Sequence, residues 1–329
     1  MIRWLPPLLR GCIAAVLLLL NCLVWCTLLF VCASVKLLLP FAPVRRRIDP
    51  LLNALATAWV ACNGAWQRLT QPTRWDVQGA DGLRGDGWYL VLCNHRSWVD
   101  ILVLQRVLNR RIPLLKFFLK QQLLYVPVMG LAWWALDFPF LRRHGKSALA
   151  KNPALRLQDR EATRKACEKF ALVPTSVMSF PEGTRFTPAK HDSQRSPYRH
   201  LLKPKAGALA LSLDAMGDRF DALIDATIVY PQGTPTFWAF LCGRVPQIVV
   251  RVQELPIPPE FFGADYTLDT AHRRRFHRWL EGLWGHKDAV VASFLQHPDH
   301  ATGVSPEPPD VDPAAAVSSM KGQPLEDRP

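Results

Sequence analysis

The stretch Trp88-Tyr89-Leu90-Val91-Leu92-Cys93-Asn94-His95-Arg96-Ser97-Trp98-Val99-Asp100 decides how this chain is read. Its first six residues form an uncharged apolar run, which reads as a central strand. The run turns polar at Asn94-His95. Residues 97–109 then carry helical spacing, with an apolar face at Ile101, Leu102, Leu104 and Leu108. A strand ending in a polar turn that opens a helix is a common place for catalytic side chains. Asp100 follows His95 by five residues. On one continuous helix, residues five apart point about 140° from each other. The two therefore meet only if His95 lies on the turn and Asp100 in the first helical turn. An Asp that accepts one ring N–H fixes the imidazole tautomer and leaves the other nitrogen as a base, which suits removal of a proton from an alcohol. Taken alone, a His and an Asp at this spacing more often have structural roles, so the rest of the chain decides.

The chain has 329 residues, of which 49% are hydrophobic, enough for a sizeable core beyond any membrane segment. A net charge of +13 points to an anionic partner: nucleic acid, a membrane surface or a phosphorylated substrate. Of eight cysteines, Cys12, Cys22, Cys26 and Cys32 lie in the apolar N-terminus; the others are scattered, with no C-x-x-C pair. This is neither a disulfide framework nor a zinc site, and it fits a catalytic region in a reducing compartment.

Residues 8–41 carry almost no charge. About 20 apolar residues cross a bilayer, so this run is long enough for one tilted span or a re-entrant hairpin. Arg45-Arg46-Arg47 follow it and place the remainder on the cytoplasmic side. Residues 50–69 read as an amphipathic interfacial helix with Leu51, Leu52, Leu55, Trp59 and Trp66 on its apolar face. Three segments result: 1–71, a membrane helix plus an interfacial helix; 72–297, a catalytic domain; and 298–329, a Pro-, Asp-, Ala- and Ser-rich disordered tail. Strands are expected at 75–78, 88–93, 112–118, 138–141, 176–180, 226–230 and 247–252. Helices are expected at 154–172, 205–216 and 269–284, the last carrying Phe276, Trp279, Leu280, Leu283 and Trp284 on one face with arginines between them. Residues 187–199 read as a polar loop. The fold class is α/β, a mixed central sheet flanked by helices, with an N-terminal membrane helix.

A second strand-to-turn junction repeats the logic of the first. Residues 176–180 run into Pro181-Glu182-Gly183-Thr184-Arg185. A Gly-containing turn with a hydroxyl and a guanidinium suits a phosphate monoester; an ordinary turn with a salt-bridged surface Arg is the plainer reading.

Together these residues carry a resemblance. Asn94-His95-Arg96-Ser97-Trp98-Val99-Asp100 resembles the N-H-x4-D motif of the glycerophospholipid acyltransferases. Phe180-Pro181-Glu182-Gly183-Thr184-Arg185, about 85 residues on, resembles that family's F-P-E-G-T-R motif. Phe140-Leu141-Arg142-Arg143 and Leu202-Lys203-Pro204-Lys205-Ala206-Gly207 are similar to two weaker blocks. The resemblance covers roughly 72–255. The Tyr230-Pro231 strand ending and the 187–199 insert look more like the lysophosphatidate and lysocardiolipin branch.

The resemblance implies transfer of a fatty acyl group from acyl-CoA or acyl carrier protein to the free hydroxyl of a lysophospholipid, foremost 1-acyl-sn-glycerol-3-phosphate. His95 would be the general base and Asp100 its orienter. Arg185 and Arg143 (alternatively Arg142) would hold the glycerol phosphate. Glu182 would bond a glycerol hydroxyl or brace the arginines, and Gly183 and Thr184 would shape the turn. Asn94 or main-chain N–H groups would hold the oxyanion. No cofactor and no metal is called for; the acyl thioester is a co-substrate. The expected partners are the lysolipid, the thioester and membrane lipids, not nucleic acid. The expected place is a bacterial inner membrane, catalytic domain facing the cytoplasm. The same motifs serve remodelling of lysocardiolipin or lysophosphatidylglycerol. A hydrolase would need a G-x-S-x-G elbow, which the sequence lacks. A non-catalytic lipid-binding protein would not need His95, Asp100, Glu182 and Arg185 together.

Overall fold

The computed structural model describes residues 2, 4–39, 41–138, 140–141, 161, 173–262, 266 and 269–296. Arg142 and Arg143, the helix expected at 154–172 apart from residue 161, and the expected tail lie outside them.

Six strands form one sheet in the order β1-β8-β7-β2-β6-β3. They are β1 (Arg74–Gln78), β2 (Tyr89–Cys93), β3 (Leu115–Phe117), β6 (Ser176–Ser179), β7 (Ala222–Val229) and β8 (Gln247–Leu255); β4 (Leu119–Lys120) and β5 (Phe140–Leu141) make a separate pair. Neighbours are parallel except β7 and β8, so the sheet is mixed, as expected. All five residues of β2 are buried. Tyr89, Val91 and Cys93 face one core layer and Leu90 and Leu92 the other, the alternation that a strand covered on both sides requires. Helix α3 (Val99–Leu108) covers the first face. Helices Gly207–Met216 and Thr270–Gln296 cover the second. The Phe276, Leu280, Leu283 and Trp284 stripe is therefore core, and the helix continues with Val290, Val291 and Phe294.

Residues 187–199 are not all loop. Pro188–Gln194 is a short helix: Thr187 accepts a bond from Lys190 N, Pro188 occupies the first turn and Arg195 ends it in the left-handed region. An N-cap Thr followed by Pro is a start signal that the polar composition concealed.

At the N-terminus, α1 (Pro7–Leu38) and α2 (Ala42–Thr70) form an antiparallel hairpin. Ile2 N bonds Leu69 O, Asn21 bonds Asn63 at 2.8 Å and Lys36 pairs with Asp49 at 2.7 Å. Helix α2 starts well before the expected 50–69 and takes in the three arginines and Pro50. The domain runs beside α1 for most of its length. Gly11 lies so close to Cys242 that a Cβ there would clash with its sulfur. Cys22 touches Met129 at 3.8 Å, and Lys36 pairs with Asp137 at 2.6 Å. The opposite face, including Val16, Leu19, Leu20, Leu23, Val24, Leu28, Val31 and Val35, is exposed.

Candidate active site

Parallel pairing brings the two motifs together. Leu92 of β2 is in register with Ser179 of β6, so both strands end at the same edge and both polar turns leave it side by side. On the other flank Cys93 pairs with Ala226, which brings the end of β7 and Tyr230 to the same edge. The carboxyl ends of parallel strands are the usual place for a site in such sheets.

His95 stands in the turn and Asp100 is the second residue of α3. The His95 Nδ1–H donates to Asp100 Oδ2 at 2.9 Å. Asp100 is fully buried and has three further donors: Arg96 N at 2.6 Å, Ser97 N at 2.9 Å and Tyr230 Oη at 2.6 Å. A buried carboxylate needs such company. Burial, and next the Asp100 charge, push the Tyr230 phenol well above its ordinary range, so it stays a donor. The His95 ring stacks on Phe180, with centroids 4.0 Å apart. Among the described residues no hydrogen bond is made to its Nε2.

The second motif holds the histidine's backbone. Glu182 Oε1 accepts His95 N at 2.8 Å, Phe186 N donates to His95 O at 2.8 Å, and Glu182 Oε2 accepts Leu202 N at 3.0 Å. Glu182 is fully buried, and desolvation pushes its carboxyl up to about 7 against the opposing pull of those two N–H groups. Its oxygens are spent on main chain and it is wholly buried, which corrects the expectation that it bonds a glycerol hydroxyl. Among the described residues no bond joins it to Arg185, and Arg143 lies outside them. Asn94 is corrected likewise. Its amide donates to Ile228 O and accepts from Ile228 N, both at 2.9 Å, and the side chain is wholly buried. It locks β2 to β7 and is not placed to hold an oxyanion. The N–H groups of His95, Arg96 and Ser97 are also taken.

Gly183 adopts φ +67°, the left-handed conformation that lets Arg185 and Thr184 turn outward. Thr184 Oγ1 accepts from Lys190 Nζ at 2.7 Å, tying the turn to the helix that follows. The Arg185 guanidinium sits 4.8 Å over the exposed Trp98 ring. Together with His95, Phe117, Phe180 and Lys205 they line a cavity of about 490 Å³. Two cations and an imidazole thus line one space together with aromatic rings. Arg143 and Arg142 lie outside the described residues.

Three contributors escaped the motif reading. Lys205 stood in a quoted block but without a role. The sequence marks Tyr230 only as a strand ending. Leu202 acts through its N–H, for which no side-chain signal exists.

The family model described as Acyltransferase matches residues 74–233. The 1-acyl-sn-glycerol-3-phosphate acyltransferase delta of Rattus norvegicus is 25% identical over 282 residues, covering 82% of this chain and 68% of that protein. The Homo sapiens protein of the same name is 26% identical over 238 residues, covering 68% of this chain and 56% of its own length. Lysocardiolipin acyltransferase 1 of Danio rerio is 26% identical over 296 residues, covering 82% and 71%. The chain thus spans little more than half of some of these relatives. The crystal structure of the 1-acyl-sn-glycerophosphate (LPA) acyltransferase PlsC from Thermotoga maritima aligns with a TM-score of 0.40 at 18% identity, over 81% of this chain and 98% of that one, a loose likeness. Residues 74–233 thus form an Acyltransferase domain by their match to that family model, and the chain is similar to proteins named 1-acyl-sn-glycerol-3-phosphate acyltransferase and lysocardiolipin acyltransferase.

Proposed function

We propose that this protein transfers a fatty acyl group from an acyl thioester, acyl-CoA or acyl carrier protein, to the free hydroxyl of a lysophospholipid, with 1-acyl-sn-glycerol-3-phosphate the foremost acceptor and phosphatidic acid the product. The observation that carries this reading is the Asp100-bound imidazole, which borders the same cavity as Arg185 and Lys205. His95 Nε2 takes the proton from the acceptor hydroxyl as its oxygen attacks the thioester carbonyl. The tetrahedral intermediate collapses, the C–S bond breaks, and the leaving sulfur takes the proton from the imidazolium. No covalent enzyme intermediate forms. Arg185, Lys205 and, from its place in the sequence, Arg143 hold the acceptor's phosphate.

The chain works at a membrane, and we place it on the cytoplasmic face of a bacterial inner membrane. The exposed apolar face of α1 supports the membrane, as do exposed Tyr125, Leu131 and Trp134 in the uncharged stretch 121–136. Contacts from Gly11 to Lys36 support an α1 lying along the leaflet rather than crossing it.

The test uses purified wild type and His95→Ala with labelled oleoyl-CoA or acyl carrier protein and a lysolipid panel that includes lysophosphatidate, lysocardiolipin and lysophosphatidylglycerol. Transfer by wild type alone is expected, fastest to lysophosphatidate. No transfer to any acceptor from either donor would overturn the reading; equal activity in a folded variant would remove His95 from it.

A further inference from the structure

The helix Thr270–Gln296 lies outside the matched family domain, yet two consecutive residues on it reach the supports of His95. Lys287 is fully buried. It pairs with Asp225 at 2.8 Å and donates to Ala226 O at 2.7 Å and Thr227 Oγ1 at 3.0 Å, seating the helix on β7. Asp288 turns the other way. Its Oδ2 accepts Arg199 N at 2.8 Å and its Oδ1 accepts His200 N at 2.7 Å.

Those two amides pin a loop with two connections to the site. His200 O accepts Arg96 Nη2 at 2.7 Å, and Leu202 N donates to Glu182 Oε2 at 3.0 Å, the carboxylate that also holds His95 N. We propose that Asp288 is a positioning residue for His95, and that the C-terminal helix is a working part of the catalytic unit. This rests on the acyl-transfer reading for its kinetic consequence, but not for its structural one.

Asp288 takes both loop amides, at 199 and 200. Among the described residues the other bond from the loop to this helix is the longer one that Tyr198 Oη donates to Glu281 O at 3.3 Å. The bonds from His191 Nε2 to Tyr198 O and from Ser196 Oγ to Leu201 O, both at 2.7 Å, close the loop on its own neighbourhood. Release of residues 199–200 lets Leu202 N drift from Glu182. The groups facing that carboxyl are Arg96, Asp100 and the Cys93 thiol. With the Leu202 N–H gone, one of the pulls holding its pKa down is lost, so Glu182 protonates at higher pH and releases His95 N sooner as pH falls.

The experiment compares full-length wild type, Asp288→Asn and Asp288→Glu. In kinetics, Asp288→Asn is expected to lower kcat by about 10- to 100-fold, the penalty of a slightly misplaced catalytic group, with little change in KM. The acid limb of its kcat/KM profile should move to higher pH, and Asp288→Glu should recover part of the loss. In parallel, hydrogen exchange should rise at residues 93–96 and 196–202 in Asp288→Asn and not at β1. A folded Asp288→Asn with wild-type kcat and an unmoved acid limb overturns the proposal. So does unchanged exchange at both segments, even in a protein that transfers acyl groups to none of the lysolipids. That last outcome would separately sink the acyl-transfer reading while exchange still decides the role of Asp288. If Asp288→Asn does not fold, Asp288→Glu carries the same readouts.

Discussion

Glu182 and His95 are joined side chain to main chain: the carboxylate accepts the histidine N–H at 2.8 Å across 87 residues of sequence. The second motif is therefore a mount for the first as well as a source of cations. Glu182→Gln keeps the shape but turns an NH2 toward either His95 N or Leu202 N, so one N–H is left facing a donor. Activity should drop at least about tenfold with little change in KM, read by steady-state kinetics at pH 8.

The same carboxyl imposes a pH dependence on stability. Its folded pKa is raised by burial from 4.5 to about 7. The native state therefore keeps a proton that the unfolded chain releases. The contribution is fully present below about pH 4.5 and is lost as pH rises through about 7. The difference in melting temperature between wild type and Glu182→Gln should shift against wild type over that window and then level off. A flat difference across a pH series would contradict the assignment.

Tyr230→Phe removes one donor from a fully buried carboxylate. The cost should be about 1–3 kcal/mol of stability, measured by urea unfolding. Catalysis should fall too, because Asp100 orients His95 through the opposite oxygen.

Asn94→Ala distinguishes a lock from an oxyanion donor. Removing the two bonds to Ile228 should destabilise the fold by about 1–3 kcal/mol, while kcat per folded molecule changes only a few-fold. A loss of about 10²–10³ in kcat at unchanged stability, the signature of an oxyanion donor, would count against the lock.

Arg185→Ala should raise KM for phosphate-bearing acceptors by about tenfold or more and spare the thioester KM, with Arg185→Lys intermediate because a point charge replaces a planar fork. Initial rates against each substrate in turn test this.

Much of the fold was legible because the burial of β2, β6 and β7 is written as apolar runs, and because Pro181 and Gly183 punctuate a turn by local sterics alone. The pattern Phe276, Leu280, Leu283 and Trp284 announced a helix, but the same spacing suits a membrane or a core, and only the sheet beside it chose the core. In α1 apolarity is nearly all-round, so composition could not say which face the domain would cover.

The sequence by itself determined the chemistry at the strand ends: an imidazole, a carboxylate that can orient it five residues on, and a Glu-Gly-Thr-Arg turn. The tertiary structure decided which of those groups remain available. Asn94 and Glu182 looked free in the sequence because a hydrogen bond to Ile228, His95 or Leu202 depends on distances closed by sheet register and helix packing. Partners separated by 87 or 134 residues leave no periodic trace along the chain. A buried polar group must still find a partner, and where it finds one decides whether it binds a substrate or holds the residue that does.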